Sequence, residues 1–180
     1  PDDEANLYQV QCLATSRDGI HFSREGMVVD TPPGLHHFRD PKVWREGESW
    51  YMVVGARDGE TGQVRVYRSE DLHAWQDMGV LAVAEKEMGY MWECPDFFTL
   101  NGKRVLMFSP QGVVAEGYKN RNLFQSGYLL GEWQPGQPFV REGEFVEMDR
   151  GHDFYAPQSF LTPDGRRIVI GWLDMWESPL

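Results

Sequence analysis

The feature that most constrains the fold of this chain is a short pattern that occurs three times. Its copies are FRDPKVWREGESWYMVVGARDG (38–59), ECPDFFTLNGKRVLMFSPQG (93–112) and YAPQSFLTPDGRRIVIGWLD (155–174). In each copy a proline precedes an aromatic or apolar stretch, a polar turn with glycine and a second apolar stretch. A repeat of about 50 residues made of short strands is the sequence signature of β-propeller blades. The pattern therefore predicts an all-β propeller of four-stranded antiparallel sheets.

The prolines of the three copies, Pro41, Pro95 and Pro157, are in register, 54 and 62 residues apart. An acidic residue stands at or just before the start of each copy. These acidic residues are Asp40, Glu93 and Asp153. Because a propeller gathers equivalent positions of successive blades around one axis, we expect these side chains to share one pocket.

A second repeat lies between the copies of the first, since LATSRDGIHFSREGMVV (13–29) aligns with VYRSEDLHAWQDMGVLA (66–82). Together the two patterns predict one blade with strands at roughly 41–44, 50–56, 63–68 and 75–81, and a second blade from 95 to about 140. Half blades are predicted at roughly 7–29 and 155–174. This is about three blades' worth of sheet, whereas propellers close with about four to eight blades. We therefore expect the chain to be part of a larger polypeptide, with the missing blades on both sides.

Composition narrows the range of partners. The chain has 180 residues, 41% of them apolar, which is enough to bury a core. No run reaches the roughly 18 apolar residues that a membrane helix needs. The net charge of −11 repels phosphate backbones and gives no basic anchor for a membrane, so we expect neither nucleic acid nor a membrane as partner. A neutral ligand such as a sugar is compatible with this charge.

The sequence predicts neither a metal nor an organic cofactor. The two cysteines, Cys12 and Cys94, lack the spacing of a zinc site. The histidines His36, His37 and His152 form no i,i+4 pair. There is no phosphate-binding loop, no dinucleotide fingerprint and no G-x-S-x-G element.

Asp40 stands in Arg39-Asp40-Pro41, directly before a predicted inner strand. Asp-Pro is common where strands begin, but the repeat places this pair at the mouth of the central channel, and the adjacent Arg39 favours an ionised carboxylate. Such a carboxylate can accept hydrogen bonds from vicinal sugar hydroxyls, which strengthen as positive charge develops on the ring.

Glu93 lies between Trp92 and Cys94, the most apolar flanks of any acidic residue in the chain. Apolar surroundings favour a protonated carboxyl, which a general acid requires. Asp96 is a rival, because strand alternation would put Asp96 and Cys94 on one side of the strand. The residues alone leave this choice open.

Other side chains near the starts of these strands are candidate pocket residues. Asp149 or Asp153 can line the pocket, and the aromatic residues Phe38, Trp92, Phe154 and Tyr155 can either stack on a sugar ring or pack between blades.

The three motifs resemble a known family. The segments FRDPKVW (38–44), WECPD (92–96) and DFYAPQ (153–158) look like the internal motifs of glycoside hydrolase family 32, which comprises invertases, sucrose-6-phosphate hydrolases, levanases and inulinases. The segment IGWLD (170–174) resembles a later strand of that family. The whole is most similar to its bacterial sucrose or sucrose-6-phosphate hydrolases.

The resemblance implies a five-bladed propeller followed by a β-sandwich, and retaining cleavage of β-fructofuranosides. It implies that Asp40 stabilises the transition state by holding fructosyl hydroxyls, and that Glu93 is the general acid/base. The partner would be a small fructoside, and a cytoplasmic location is favoured if the protein is a sucrose-6-phosphate hydrolase. The side chains expected to bind substrate are Phe38, Arg39, Trp92, Cys94, Asp153 and Tyr155.

The sequence departs from the family in one respect. The family's nucleophile is an Asp in a Trp-Met-Asn-Asp-Pro type of motif, which 1–180 does not contain. We therefore expect residues 1–180 to be an incomplete propeller catalytic domain, with the nucleophile blade and the sandwich in the rest of the parent polypeptide, and to be inactive alone.

Two other functions remain open at this point: an inverting arabinan or xylan hydrolase on the same propeller, and a propeller that binds carbohydrate without catalysis. The fructoside is also open, with Lys119, Arg121 and Arg150 as candidate ligands for a phosphorylated sucrose.

Overall fold

The computed structural model describes residues 7–85 and 87–177, and within them the chain forms twelve β-strands and no helix. The strands are β1 (Gln11–Thr15), β2 (Ser23–Val29), β3 (His37–Glu46), β4 (Ser49–Asp58), β5 (Thr61–Ser69), β6 (Trp75–Val83), β7 (Met91–Leu100), β8 (Lys103–Gln111), β9 (Gly127–Glu132), β10 (Val140–Glu147), β11 (Tyr155–Leu161) and β12 (Arg167–Trp172). No helix in the described ranges could cross a membrane.

The strands form two four-stranded sheets and two two-stranded sheets, all antiparallel. The four-stranded sheets are β3-β4-β5-β6 and β7-β8-β9-β10, and the two-stranded sheets are β1-β2 and β11-β12. The predicted blades and half blades are thus confirmed. One boundary was wrong: β10 begins at Val140, where the second blade was expected to end, because residues 112–126 form a long connection between β8 and β9.

Tight turns set the register of the blades. β7 and β8 are joined by Asn101 and Gly102, so that Leu100 pairs directly with Lys103. Both turn residues have positive φ, 50° and 80°. This is the backbone of a two-residue type I′ turn, for which Asn-Gly is the preferred sequence.

An aromatic core holds the two complete blades together. The Trp92 ring lies on the Phe108 ring with centroids 4.0 Å apart, and Trp44 and Phe97 pack against Trp133. Aromatic pairs of this kind contribute about 0.5–1.5 kcal/mol each beyond the area that they bury. The core therefore fixes the position of β7 relative to β3, which places the candidate site.

Two glycines allow the blades to approach each other closely. A Cβ on Gly55 would lie 2.2 Å from the carbonyl oxygen of Trp92, and one on Gly62 would lie 2.6 Å from the Trp92 ring. Both distances are too short for a side chain. The absence of a Cβ is thus what lets β4 and β5 pack against the start of β7.

Each first strand carries a β-bulge at the proline of the repeat. The register shifts between Arg39 and Lys42, between Glu93 and Asp96, and between Tyr155 and Gln158. The residues before the three prolines all have left-handed φ: Asp40 at 62°, Cys94 at 49° and Ala156 at 50°. Bulges redirect side chains, and strained backbone of this kind concentrates at functional sites.

The bulge overturns the alternation argument that grouped Cys94 with Asp96. The Cys94 thiol contacts Asp40, whereas Asp96 is fully buried and accepts a hydrogen bond from the Ser159 backbone at 2.6 Å. Alternation applies to regular strands, and the left-handed Cys94 breaks it.

Candidate active site

Equivalent positions of the three copies meet at the starts of β3, β7 and β11. Arg39, Glu93 and Tyr155 each stand two residues before the proline of their copy. Arg39 donates two hydrogen bonds to Glu93 Oε1, from Nε at 2.9 Å and from Nη2 at 2.6 Å. The Tyr155 hydroxyl donates to Glu93 Oε2 at 2.5 Å. The rotational relationship of the blades thus produces a direct contact among three residues.

Asp40 lies beside this cluster. Its Oδ2 accepts a hydrogen bond from the backbone N–H of Cys94 at 3.0 Å, and the Cys94 Sγ lies 3.5 Å away. Cys94 directly follows Glu93, so the structure brings Asp40 and Glu93 to the same end of the first strands of two neighbouring blades, β3 and β7. Asp40 is partly exposed, as a group that binds a ligand must be.

The surroundings of Glu93 differ from the expected apolar setting. Besides Arg39 and Tyr155, the Gln111 amide donates to Glu93 Oε2 at 2.9 Å. The carboxylate thus accepts four hydrogen bonds from side chains and is 12% exposed. The apolar setting was wrong because the sequence neighbour Trp92 turns away into the core, and polar residues of other strands take its place.

Two neighbours of the acidic pair are neutral. Burial, together with the charges of Asp40 and Glu93, raises the pKa of the Cys94 thiol far above its ordinary value. Burial, the Glu93 charge and the hydrogen bond to Glu93 raise the pKa of Tyr155 likewise. Tyr155 is therefore a hydrogen-bond donor and Cys94 a protonated thiol at neutral pH.

Equivalent residues of the three copies make a second contact, on the other side of each proline. Lys42, Asp96 and Gln158 each follow the proline of their copy. Lys42 Nζ lies 3.2 Å from Asp96 Oδ2 and 3.2 Å from Gln158 Oε1. Since Asp96 is fully buried in this contact, it joins the three sheets and is not the acid at the mouth of the pocket.

Two of the aromatic residues expected to bind substrate lie in the core instead. Phe38 and Trp92 are fully buried. Phe38 packs on Tyr67 at 6.0 Å, and Trp92 packs on Phe108. Their positions three residues before the proline direct them between the blades. Both expectations of ring stacking on a sugar are therefore corrected to roles in packing.

Asp153 and the register of the acidic residues also need correction. Asp153 is buried just before β11, with His152 Nε2 3.6 Å from its carboxylate. It stands four residues before Pro157, whereas Glu93 stands two before Pro95 and Asp40 one before Pro41. The three acidic residues are therefore not equivalent positions. Tyr155 is the true counterpart of Glu93.

Three residues near the site were missed from the sequence. Gln111 ends β8 and binds Glu93, whereas His37 and Gln9 contact the guanidinium of Arg39 at 2.8 and 3.4 Å. His37 was weighed only as a metal ligand. Gln111 lies outside the proline motif, so no signal in the repeat marks it.

A groove with a volume of about 930 Å³ lies between the segment before β7, the loop after β8 and strand β10. The loop that forms one wall begins directly after Gln111, which binds Glu93. Among the described residues, the charged side chains that line the groove are Glu85, Glu87, Glu116, Glu144, Glu147, Lys119, Arg141 and Arg150. Among the residues that the structure describes, no group of three His, Cys, Asp or Glu side chains could hold a metal ion.

Comparison with known proteins gives the family. Residues 2–179 match the sequence profile of the Glycosyl hydrolases family 32 N-terminal domain. The chain belongs to glycoside hydrolase family 32. The catalytic domain of family 32 is a five-bladed β-propeller, of which the described sheets form a part, so the fold implied by the three motifs is confirmed.

Relatives within family 32 include two from Escherichia coli. A sucrose-6-phosphate hydrolase is 60% identical over 180 residues, and a raffinose invertase is 54% identical over 179. Each match covers 99% of this chain and 38% of the relative. The chain therefore spans little more than a third of the length of these relatives.

Solved structures of family 32 share the fold closely. A mutant Bombyx mori GH32 β-fructofuranosidase in complex with sucrose aligns with a TM-score of 0.90 and 42% identity, over 94% of this chain and 37% of that one. A sucrose-6-phosphate hydrolase from Lactobacillus gasseri aligns with a TM-score of 0.85 and 29% identity, over 94% of this chain and 36% of that one.

Proposed function

We propose that the whole protein is a retaining β-fructofuranosidase that cleaves sucrose or a related fructoside. The observation that carries the proposal is the contact of Arg39, Glu93 and Tyr155 beside Asp40. The relatives support it, since they are named as sucrose-6-phosphate hydrolase and raffinose invertase, and a structural neighbour holds sucrose.

Glu93 is proposed as the general acid/base. In the first step its proton passes to the glycosidic oxygen as the bond to the leaving sugar breaks. The carboxylate that forms is held by the donors of Arg39, Gln111 and Tyr155. These hydrogen bonds stabilise the charge that appears on Glu93 during proton transfer. In the second step the same carboxylate takes a proton from the attacking water.

Asp40 is proposed to hold hydroxyl groups of the fructosyl ring. The bond from the Cys94 N–H occupies Oδ2 and fixes the direction of the carboxylate. Hydrogen bonds from ring hydroxyls to an ionised carboxylate strengthen as the ring gains positive charge in the transition state. Asp40 would therefore lower the barrier more than it tightens substrate binding.

Retaining cleavage needs a nucleophile in addition to these two residues. We propose that another segment of the whole protein supplies it, and that residues 1–180 are an incomplete propeller catalytic domain. The activity, substrate and partner are accordingly properties of the full-length protein. The chain of 180 residues alone should release no fructose from sucrose.

Two of the candidate ligands for a phosphorylated sucrose, Lys119 and Arg150, line the groove. Arg141 bonds Glu85 at 2.7 Å, and Arg150 lies 3.8 Å from Glu147. Comparison of kcat/KM for sucrose and for sucrose 6-phosphate in the full-length protein decides between the two fructosides.

The function is tested on the full-length protein by following sucrose cleavage with NMR at early times. Initial release of β-fructofuranose, before mutarotation, is the expected result. Release of the α anomer would identify an inverting enzyme, whose carboxyl groups lie about 6.5–9.5 Å apart instead of about 5–5.5 Å. Sugar binding without cleavage would support a non-catalytic propeller and contradict the proposal.

A further inference from the structure

We propose that His37 is a positioning residue. It holds the guanidinium of Arg39 in the orientation in which this group donates hydrogen bonds to Glu93. The inference rests on the proposed function, because it assigns His37 a role in the reaction through Arg39 and Glu93. Among the described residues, His37 is connected to Glu93 through Arg39.

The guanidinium of Arg39 is held on both of its edges. On one edge, Nε and Nη2 donate to Glu93 Oε1 at 2.9 and 2.6 Å. On the other edge, Nη1 lies 2.8 Å from His37 Nδ1 and 3.4 Å from Gln9 Oε1. His37 is two residues before Arg39 on β3, so both side chains point to the same side of the strand. The shorter of the two outer contacts is the one to His37.

The contact defines the chemical form of His37. An Arg guanidinium carries only donors and stays charged, so the facing Nδ1 must offer its lone pair. The ring is therefore neutral with its proton on Nε2. Protonation of Nδ1 would remove the acceptor and place two positive charges 2.8 Å apart. Arg39 would then lose its outer support.

Two arginines of the described residues lie near His37 in the sheet, and one of them, Arg39, contacts its ring. Arg39 lies on its own strand, and Arg57 is its direct cross-strand partner on β4. Glu93 on β7 is reached only through Arg39, and Glu60 accepts a hydrogen bond from Arg57 at 2.6 Å. The Arg57 guanidinium is directed to Glu60 and the Tyr90 ring, whereas the Arg39 guanidinium contacts the His37 ring.

A guanidinium that is free to rotate would hold Glu93 Oε1 less firmly. Misplacement of a catalytic group by about 1 Å can cost about 100-fold in rate. Loss of the His37 acceptor alone leaves Gln9 in place, so we expect a fall of about tenfold in kcat. Since substrate binding does not use this contact, KM should stay within about twofold of wild type.

The test uses three variants of the full-length protein. His37→Leu removes the acceptor, and His37→Asn keeps an acceptor near the position of Nδ1 but cannot be protonated. His36→Leu is the matched control, because His36 is the exposed neighbour. We expect about a tenfold lower kcat for His37→Leu, near-normal kcat for His37→Asn and no change for His36→Leu.

A second measurement does not depend on turnover. ¹⁵N NMR of the arginine side chains reports rotation and proton exchange at Arg39, which should be slow in wild type and His37→Asn and faster in His37→Leu. Unchanged Arg39 dynamics in His37→Leu would overturn the inference, as would equal loss of kcat in both His37 variants. A wild-type protein that cleaves no fructoside would refute the proposed function instead, while the NMR result would still decide the role of His37.

Discussion

Arg39 and Glu93 are 54 residues apart in sequence, yet the guanidinium of Arg39 donates two hydrogen bonds to one oxygen of Glu93, at 2.6 and 2.9 Å. Each stands two residues before the proline of its copy of the repeat. The contact therefore follows from the rotational relationship between adjacent blades and from the bulges that redirect both side chains.

The geometry of this pair makes Arg39 hard to replace. Arg39→Lys keeps the charge but offers no fork of two donors to Glu93. We expect kcat on sucrose to fall by about 100-fold in the full-length protein, with little change in melting temperature. Steady-state kinetics and thermal unfolding measure the two effects. A kcat for Arg39→Lys within about threefold of wild type would show that charge alone suffices.

Tyr155 should contribute through its hydroxyl. Tyr155→Phe removes one donor to Glu93 and leaves the ring contacts with Phe124 and Trp176 in place. The loss of one hydrogen bond to a charged group corresponds to about 1.5–3 kcal/mol, so we expect kcat to fall by about 10- to 100-fold. Kinetics on sucrose check this result. If Tyr155→Phe matched wild type, the hydroxyl would have no part in proton transfer.

The two cysteines should differ sharply in reactivity, since only a thiolate is alkylated. Cys12 is exposed, whereas burial and the charges of Asp40 and Glu93 raise the pKa of Cys94. A raised pKa means that the thiolate forms only at strongly alkaline pH, so Cys94 is a neutral thiol at pH 8.

Iodoacetamide at pH 8 should therefore label Cys12 in the folded protein and spare Cys94, as mass spectrometry of the digested protein can measure. Unfolding in denaturant should expose both thiols and serves as the control. Equal labelling rates in the folded state would contradict the neutral, buried thiol.

The buried carboxylate of Asp96 should stabilise the fold. Asp96→Ala would leave Lys42 without its charge partner and the Ser159 N–H without its acceptor. Removal of one member of a buried pair costs about 3–5 kcal/mol, so we expect a clear fall in melting temperature. Glu70→Ala, which removes an exposed ion pair with Arg68, is the control and should cost less than about 1 kcal/mol. Equal melting temperatures of the two variants would show that Asp96 does not join the sheets.

The sequence predicted the blades well because each blade is encoded locally, by strands, turns and a proline that recur at similar spacings of 54 and 62 residues. The sequence did not predict the β-bulges at the prolines of the repeat. With Asp40 and Cys94 in left-handed backbone, strand alternation fails at the residues where side-chain direction decides function. The grouping of Asp153 with Glu93 had a different source, because Asp153 stands four residues before its proline and Glu93 only two, so that Tyr155 is the counterpart of Glu93.

The side-chain contacts made by residues at strand ends could not be predicted from the sequence, for a different reason. Gln111 reaches Glu93 because a hairpin returns the end of β8 to the start of β7. His37 reaches Arg39 because both lie on one side of β3. Neither contact depends on a motif, and both follow only once the register is known.

The most direct test of the central claim is the effect of Glu93→Ala on sucrose cleavage by the full-length protein, with Asp40→Ala beside it. General acid/base catalysis contributes about 10²- to 10⁴-fold. We expect kcat on sucrose to fall at least 100-fold for Glu93→Ala, with a wild-type circular dichroism spectrum. With an activated fructoside, whose leaving group needs no acid, azide should accelerate Glu93→Ala and leave Asp40→Ala unchanged. A Glu93→Ala protein that cleaves sucrose within threefold of the wild-type rate would contradict the assignment of Glu93 as the acid/base.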